Sequence, residues 1–196
     1  MQKIWPIFLF LVFSVACGEF RQKNEAPKNQ DSVAGENADP YVARAQNALA
    51  ALQSGLVKAL TSAIGEGGPT SAVFVCRDEA PKIAATVTEE TQISVGRTSH
   101  RLRNPQNAPP PWAEDIVKKA AEAKTEKVES HVLDLGDTIA VLKPINTVGL
   151  CTNCHGNSED LDREVRQALT EAYPDDQATG FAVGDLRGWM WAEVTK

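Results

Sequence analysis

Leu49, Leu52, Leu56, Leu60 and Ile64 recur at three- and four-residue steps, the spacing that gathers apolar side chains on one face of a helix. Asp39 and Pro40 supply a cap and a proline suited to the first helical position, while Gly65 and the run Gly67-Gly68-Pro69 close the segment. The pattern predicts a long N-terminal amphipathic helix. Next, SAVFVC at 71–76 is a short run of apolar and β-branched residues, expected as a buried strand. A helical segment over 79–90 and a strand over 92–99 follow. The stretch RLRNPQNAPPPW holds four prolines and two asparagines, which forbid both a β-ladder and a helix interior. Trp112, Ile116, Val117 and Ala120 then resume a helical face, and two β-rich runs, 128–135 and 138–145, flank the hairpin signal Gly136-Asp137. A helix with Ser158 as cap, Glu159 and Asp160 in its first turn, and Leu161, Val165, Ala168, Leu169 and Ala172 on one face comes after CTNCHG. A last strand starts at Trp189. Helices interleaved with short strands predict an α+β fold, with a mainly antiparallel sheet of about five strands, flanking helices and the long N-terminal helix.

The first residues follow a different pattern. Lys3 precedes an almost wholly apolar run, Ile4 to Val15, and Ala16 precedes Cys17. That is a secretory signal over 1–16, too short for a comfortable transmembrane helix. SVAC resembles a bacterial lipobox, with Ser14 where Leu is commonest, so Cys17 is the expected lipidation site. Residues 17–38 contain only Phe20 and Val33 as sizeable apolar side chains and read as a flexible tether. The folded domain is then 39–196, expected on the periplasmic side of a bacterial membrane and held there by its lipid, in the outer membrane if Gly18 permits that sorting.

Composition narrows the functional classes. With 20 basic and 26 acidic side chains, net charge −6, a phosphate-tracking nucleic-acid partner is not expected. The chain carries no G-x-x-x-x-G-K, G-x-S-x-G or H-E-x-x-H, and the expectation is a non-enzymatic protein.

The chemistry sits at Cys151-Thr152-Asn153-Cys154-His155, a C-x-x-C-H motif. Two thiols about a helical turn apart can each form a thioether with a haem vinyl group, and the adjacent imidazole reaches the iron from the same side. Export agrees with this, because covalent haem attachment takes place outside the cytoplasm. One covalent haem c is therefore expected. The competing readings are a zinc site, for which only Cys76, His100 and His131 could complete the ligand set, and a redox C-x-x-C, which needs no trailing histidine. Of the four cysteines, one is assigned to lipid and two to haem. Cys76 is left without an intramolecular disulfide partner in an oxidising compartment; it is buried, paired between chains, or bound to something.

Three separated stretches, RTSHRLRNPQNAPPPW, VLKPINTVGLCTNCHG and YPDDQATGFAVGDLRGWMW, resemble one family: the PAS-like c-type haem domain found as a lone exported protein in bacteria, including cyanobacteria, and as the extracytoplasmic input domain of sensor histidine kinases. The resemblance covers residues 42–194. It implies a PAS-like sheet carrying one covalent haem, with His155 as proximal ligand. Some members use a cysteine as second axial ligand, on a strand in a context like AVFVCRDEAPKIA, and Cys76 is the matching position. Unlike the kinase-linked members, this sequence shows no transmembrane helix, coiled coil or kinase after the domain.

Cys76 as a ligand competes with Cys76 as a small buried hydrophobe; His100, His131 and Met190 are the alternative ligands. Arg97, Arg101 and Arg103 suit haem propionates, against the plain reading of a solvated strand face. The function expected is redox or small-ligand sensing with an unknown redox or signalling partner. An electron-transfer cytochrome is the second reading, and a haem peroxidase-type enzyme, which needs a distal acid–base group, the third.

Overall fold

The Asp39 carboxylate accepts a hydrogen bond from the Tyr41 backbone N–H at 2.8 Å, and Pro40 occupies the first helical position, where its missing N–H costs nothing. In the computed structural model, which describes residues 39–122 and 128–196, this cap opens helix α1, Pro40–Thr91. The expected signal segment, the tether and Cys17 lie outside the described residues.

Helix α1 is kinked where predicted to end. Gly67 and Gly68 leave helical geometry, Gly68 at φ 72°, and Pro69 starts a second limb at once. That limb corrects the sequence reading of 71–76: the run expected as a strand is helical, and Cys76 therefore sits on a helix. The reason is tertiary. Val73 packs against Leu161, Val165, Ala168 and Leu169, and burial of this face outweighs the weak β preference of a few branched residues. Val73, Cys76, Ala80, Ala84 and Val87 also continue the three- and four-residue spacing of the first limb.

With 71–76 in a helix, the sheet has four strands among the described residues, where about five were expected. They are β1 (Ser94–Thr98), β2 (His131–Asp134), β3 (Thr138–Asn146) and β4 (Leu186–Thr195), all antiparallel in the order β1-β4-β3-β2. β2 and β3 form the predicted hairpin, which turns through Gly136 at φ 91°. Pro144 is accommodated in β3 because β2 pairs only with Ile139–Leu142, so its missing N–H faces no partner strand.

Strand β4 is internal and sorts its side chains by the period of two. Met190, Ala192 and Val194 join Leu49, Leu52, Val95 and Val141 in a core between sheet and α1. Trp189 goes to the opposite face, with Leu142, beneath Ala113 and Val117. Val117 belongs to α2 (Glu114–Glu122), entered through a 3-10 turn at Pro111–Ala113. The motif forms a short turn of helix, α3 (Thr152–His155), after a 3-10 turn at Gly149–Cys151. Helix α4 spans Arg163–Ala172 with Asp162, not Ser158, at its N-cap position; Ser158 instead donates to the Thr179 hydroxyl at 3.2 Å. The described chain is thus α+β: a long kinked helix and a four-stranded antiparallel sheet with flanking helices.

Candidate cofactor site

A cavity of about 440 Å³ lies between the second limb of α1, β1 and the C-x-x-C-H turn, within the ~300–1,000 Å³ range of small-molecule and cofactor pockets. Cys151, Cys154 and His155 line it from the motif, and Cys76 from α1. Residues 75 positions apart in the chain are brought to one hollow by the packing of α1 on α4. Leu60, Ile64, Val73, Ile145 and Trp191 make its apolar wall. Trp191 can lie there because its neighbour across the ladder is Gly96, where a Cβ would come within 2.5 Å of the indole.

His155 is held by its Nδ1, 2.7 Å from the Ala178 carbonyl oxygen. A carbonyl only accepts, so the proton belongs on Nδ1 and Nε2 is left bare as a donor to a metal. Burial, then Arg187 and Arg103, hold this imidazole well below the ordinary histidine range, against the opposing effect of Ala178. It is neutral at physiological pH, the state that ligates. Burial likewise pushes the Cys76 thiol up, with Arg97 and Arg103 pulling the other way. Cys154 is also raised by burial.

The arginines divide into distinct roles. Arg103 donates to Asp176 at 3.0 Å and to the carbonyls of Cys154 at 2.6 Å and Ala178 at 3.1 Å. Both side chains of its ion pair are only 10% exposed, so it fastens the motif to the 176–178 turn instead of waiting for a ligand. Arg97 lines the cavity with no carboxylate partner among the described residues, and burial lowers its pKa. Arg101 is not brought to the cavity; its guanidinium sits 3.6 Å from the Phe181 ring centroid and donates to the Thr179 carbonyl at 2.8 Å.

The alternative ligands lie elsewhere. His100 packs edge-on against Phe181, His131 is on the edge strand β2 beside Trp189, and Met190 is in the core under α1. None of the three lines the cavity. Two lining residues escaped the sequence reading. Arg187 reaches the cavity from β4 and is lowered to about 10 by burial and by Arg103 and Arg97. Tyr173, at the end of α4, is pushed up to about 12 by burial and by Cys76. The available signal for Arg187 was a lone cation in the apolar strand DLRGWMW.

The donor set fits a haem: a neutral imidazole, two thiols a turn apart, apolar walls for a macrocycle, and the guanidinium groups of Arg97 and Arg187 without an ion-paired carboxylate among the described residues.

No curated protein matches the chain. Among solved structures it is similar to the cyanobacterial heme-protein Tll0287, with a TM-score of 0.61 and 23% identity over 81% of this chain and 98% of that one. At that identity the likeness speaks for the fold. The family described as Tll0287-like matches residues 20–194, and since these are nearly all of the 196 residues, the chain belongs to the Tll0287-like family.

Proposed function

We propose that the chain is an exported, lipid-anchored haem protein with one covalent haem c, acting in redox or small-ligand sensing. One observation carries the haem part of this reading: Cys151, Cys154, His155 and Cys76 line the same cavity. Haem binding is further supported by the structural relative, Tll0287, which is a heme-protein.

In this reading Cys151 and Cys154 would form the thioethers, His155 and Cys76 would hold the iron through nitrogen and sulfur, and Arg97 would face a propionate. The bound group supplies a one-electron couple at an iron whose potential its axial ligands set. The chain keeps His155 neutral by burial and oriented through Ala178, excludes water with Leu60, Ile64 and Trp191, and offers Cys76 from the second limb of α1. A sulfur ligand favours ferric iron and suits a sensor better than a high-potential carrier. The reading as a plain electron carrier predicts a different spectrum.

The test is acid–acetone extraction of purified protein, followed by ferric and ferrous absorption and electron paramagnetic resonance spectra. Haem that stays with the polypeptide, with a low-spin ferric thiolate signature, is the expected result. Haem that moves into the organic phase would refute covalent attachment. For the anchor, mass spectrometry of the membrane-extracted protein is expected to find a mature N-terminus at Cys17 bearing acyl chains. A non-acylated terminus elsewhere would refute lipidation.

A further inference from the structure

Arg187 makes the closest charged approach to His155. Its Nε–H points at His155 Nδ1 from 3.2 Å, yet the same nitrogen lies 2.7 Å from the Ala178 carbonyl. One nitrogen cannot both donate to the carbonyl and accept from the guanidinium. The shorter contact, to a group that only accepts, keeps the proton on Nδ1, and Arg187 then meets the ring as a cation.

Its position is fixed from the far end. Nη1 donates to Ser99 Oγ at 3.1 Å and towards the Arg101 carbonyl at 3.4 Å, and Ser99 Oγ donates back to the Arg187 carbonyl at 2.7 Å. The guanidinium carbon also lies 5.1 Å from the Phe181 centroid. Its charge is poorly offset, because Asp176, the carboxylate that acts on it, is itself paired with Arg103 at 3.0 Å.

We propose that Arg187 is a positioning residue that raises the reduction potential of the metal held at His155, by fixing a positive charge against the back of the ligand ring. This rests on the haem reading above. A cation beside the ligand opposes the extra positive charge of the ferric state, and the low dielectric of a part-buried site strengthens that opposition. The ligand is held by Ala178; its electron-donating power is held down by Arg187.

The experiment is a spectroelectrochemical titration of the full-length haem-loaded protein, wild type against Arg187→Gln and Arg187→Lys. In Arg187→Gln the ferric-to-ferrous ratio at a fixed applied potential is expected to rise about tenfold, a midpoint lower by about 59 mV for a one-electron couple. Haem content and the low-spin ferric spectrum stay as in wild type, and Arg187→Lys recovers most of the shift. An unchanged midpoint in Arg187→Gln, or an equal fall in both variants, overturns the proposal. Should Arg187→Gln fail to accumulate, Ser99→Ala releases the far end of the guanidinium while keeping its charge. That variant is expected to show a smaller fall in the same direction, and an unchanged midpoint overturns the proposal there too. Wild-type protein without covalent haem would instead refute the haem reading itself.

Discussion

Replacing Cys151 and Cys154 together by alanine is expected to abolish covalent haem, so that after acid–acetone treatment the polypeptide of the double variant is colourless. The two thiols leave successive turns, Cys151 closing the 3-10 turn Gly149–Cys151 and Cys154 within α3, and both face the cavity. Their spacing serves two thioethers to one planar group, which no other pair of cysteines among the described residues can replace. His155, still oriented by Ala178, remains able to ligate, so any residual colour must be extractable. The variant is also expected to unfold at a lower temperature. An unfilled 440 Å³ cavity loses the contacts its contents would make, and each kcal/mol lost lowers the midpoint of a domain this size by ~2–4 °C. Haem that still resists extraction from the double variant would refute attachment through this motif.

Cys76→Ala is expected to leave attachment intact while raising the potential on the order of 0.1 V, a modest part of the ~0.8 V that axial ligands span. Burial pushes the Cys76 thiol up and so favours the protonated form wherever no cation compensates the sulfur's charge. Ferric iron compensates it better than ferrous iron, so the sulfur stabilises the oxidised state and its loss makes reduction easier. The ferric low-spin spectrum changes with it. The same asymmetry would weaken an iron–sulfur bond on reduction, at a side chain carried by the second limb of α1. Potentiometry with ferric electron paramagnetic resonance decides the matter: an identical spectrum and potential in Cys76→Ala returns Cys76 to the role of a small buried hydrophobe. His100, His131 and Met190 would not inherit the position without rearrangement, since none lines the cavity.

The parts of this protein legible in its sequence are those with local causes. The cap at Asp39, the three- and four-residue spacing from Leu49 to Ile64, the proline-broken loop at 104–111 and the glycine turn at 136 each act within a few residues, and each appears in the structure as the sequence predicts. The C-x-x-C-H motif is local in the same sense. The strand expected at 71–76 failed because its outcome was decided from outside: Val73 buries against α4, almost a hundred residues later, and a weak β preference cannot compete with that. The fifth strand disappeared with it, and the helix cap moved from Ser158 to Asp162 because residues 158–161 were drawn into turns, with Ser158 bonded to Thr179. The arginines divide along the same line. Three of them cluster at 97–103 in the sequence, but only the tertiary structure decides that Arg101 stacks on Phe181, Arg103 fastens the motif to Asp176, Arg97 faces the cavity and Arg187 meets His155 from a strand thirty residues on. The sequence determines which chemical groups the chain owns. Which of them meet, and how far each is from water, depends on long-range packing, whose burial holds the His155 imidazole low and pushes the Cys76 thiol up.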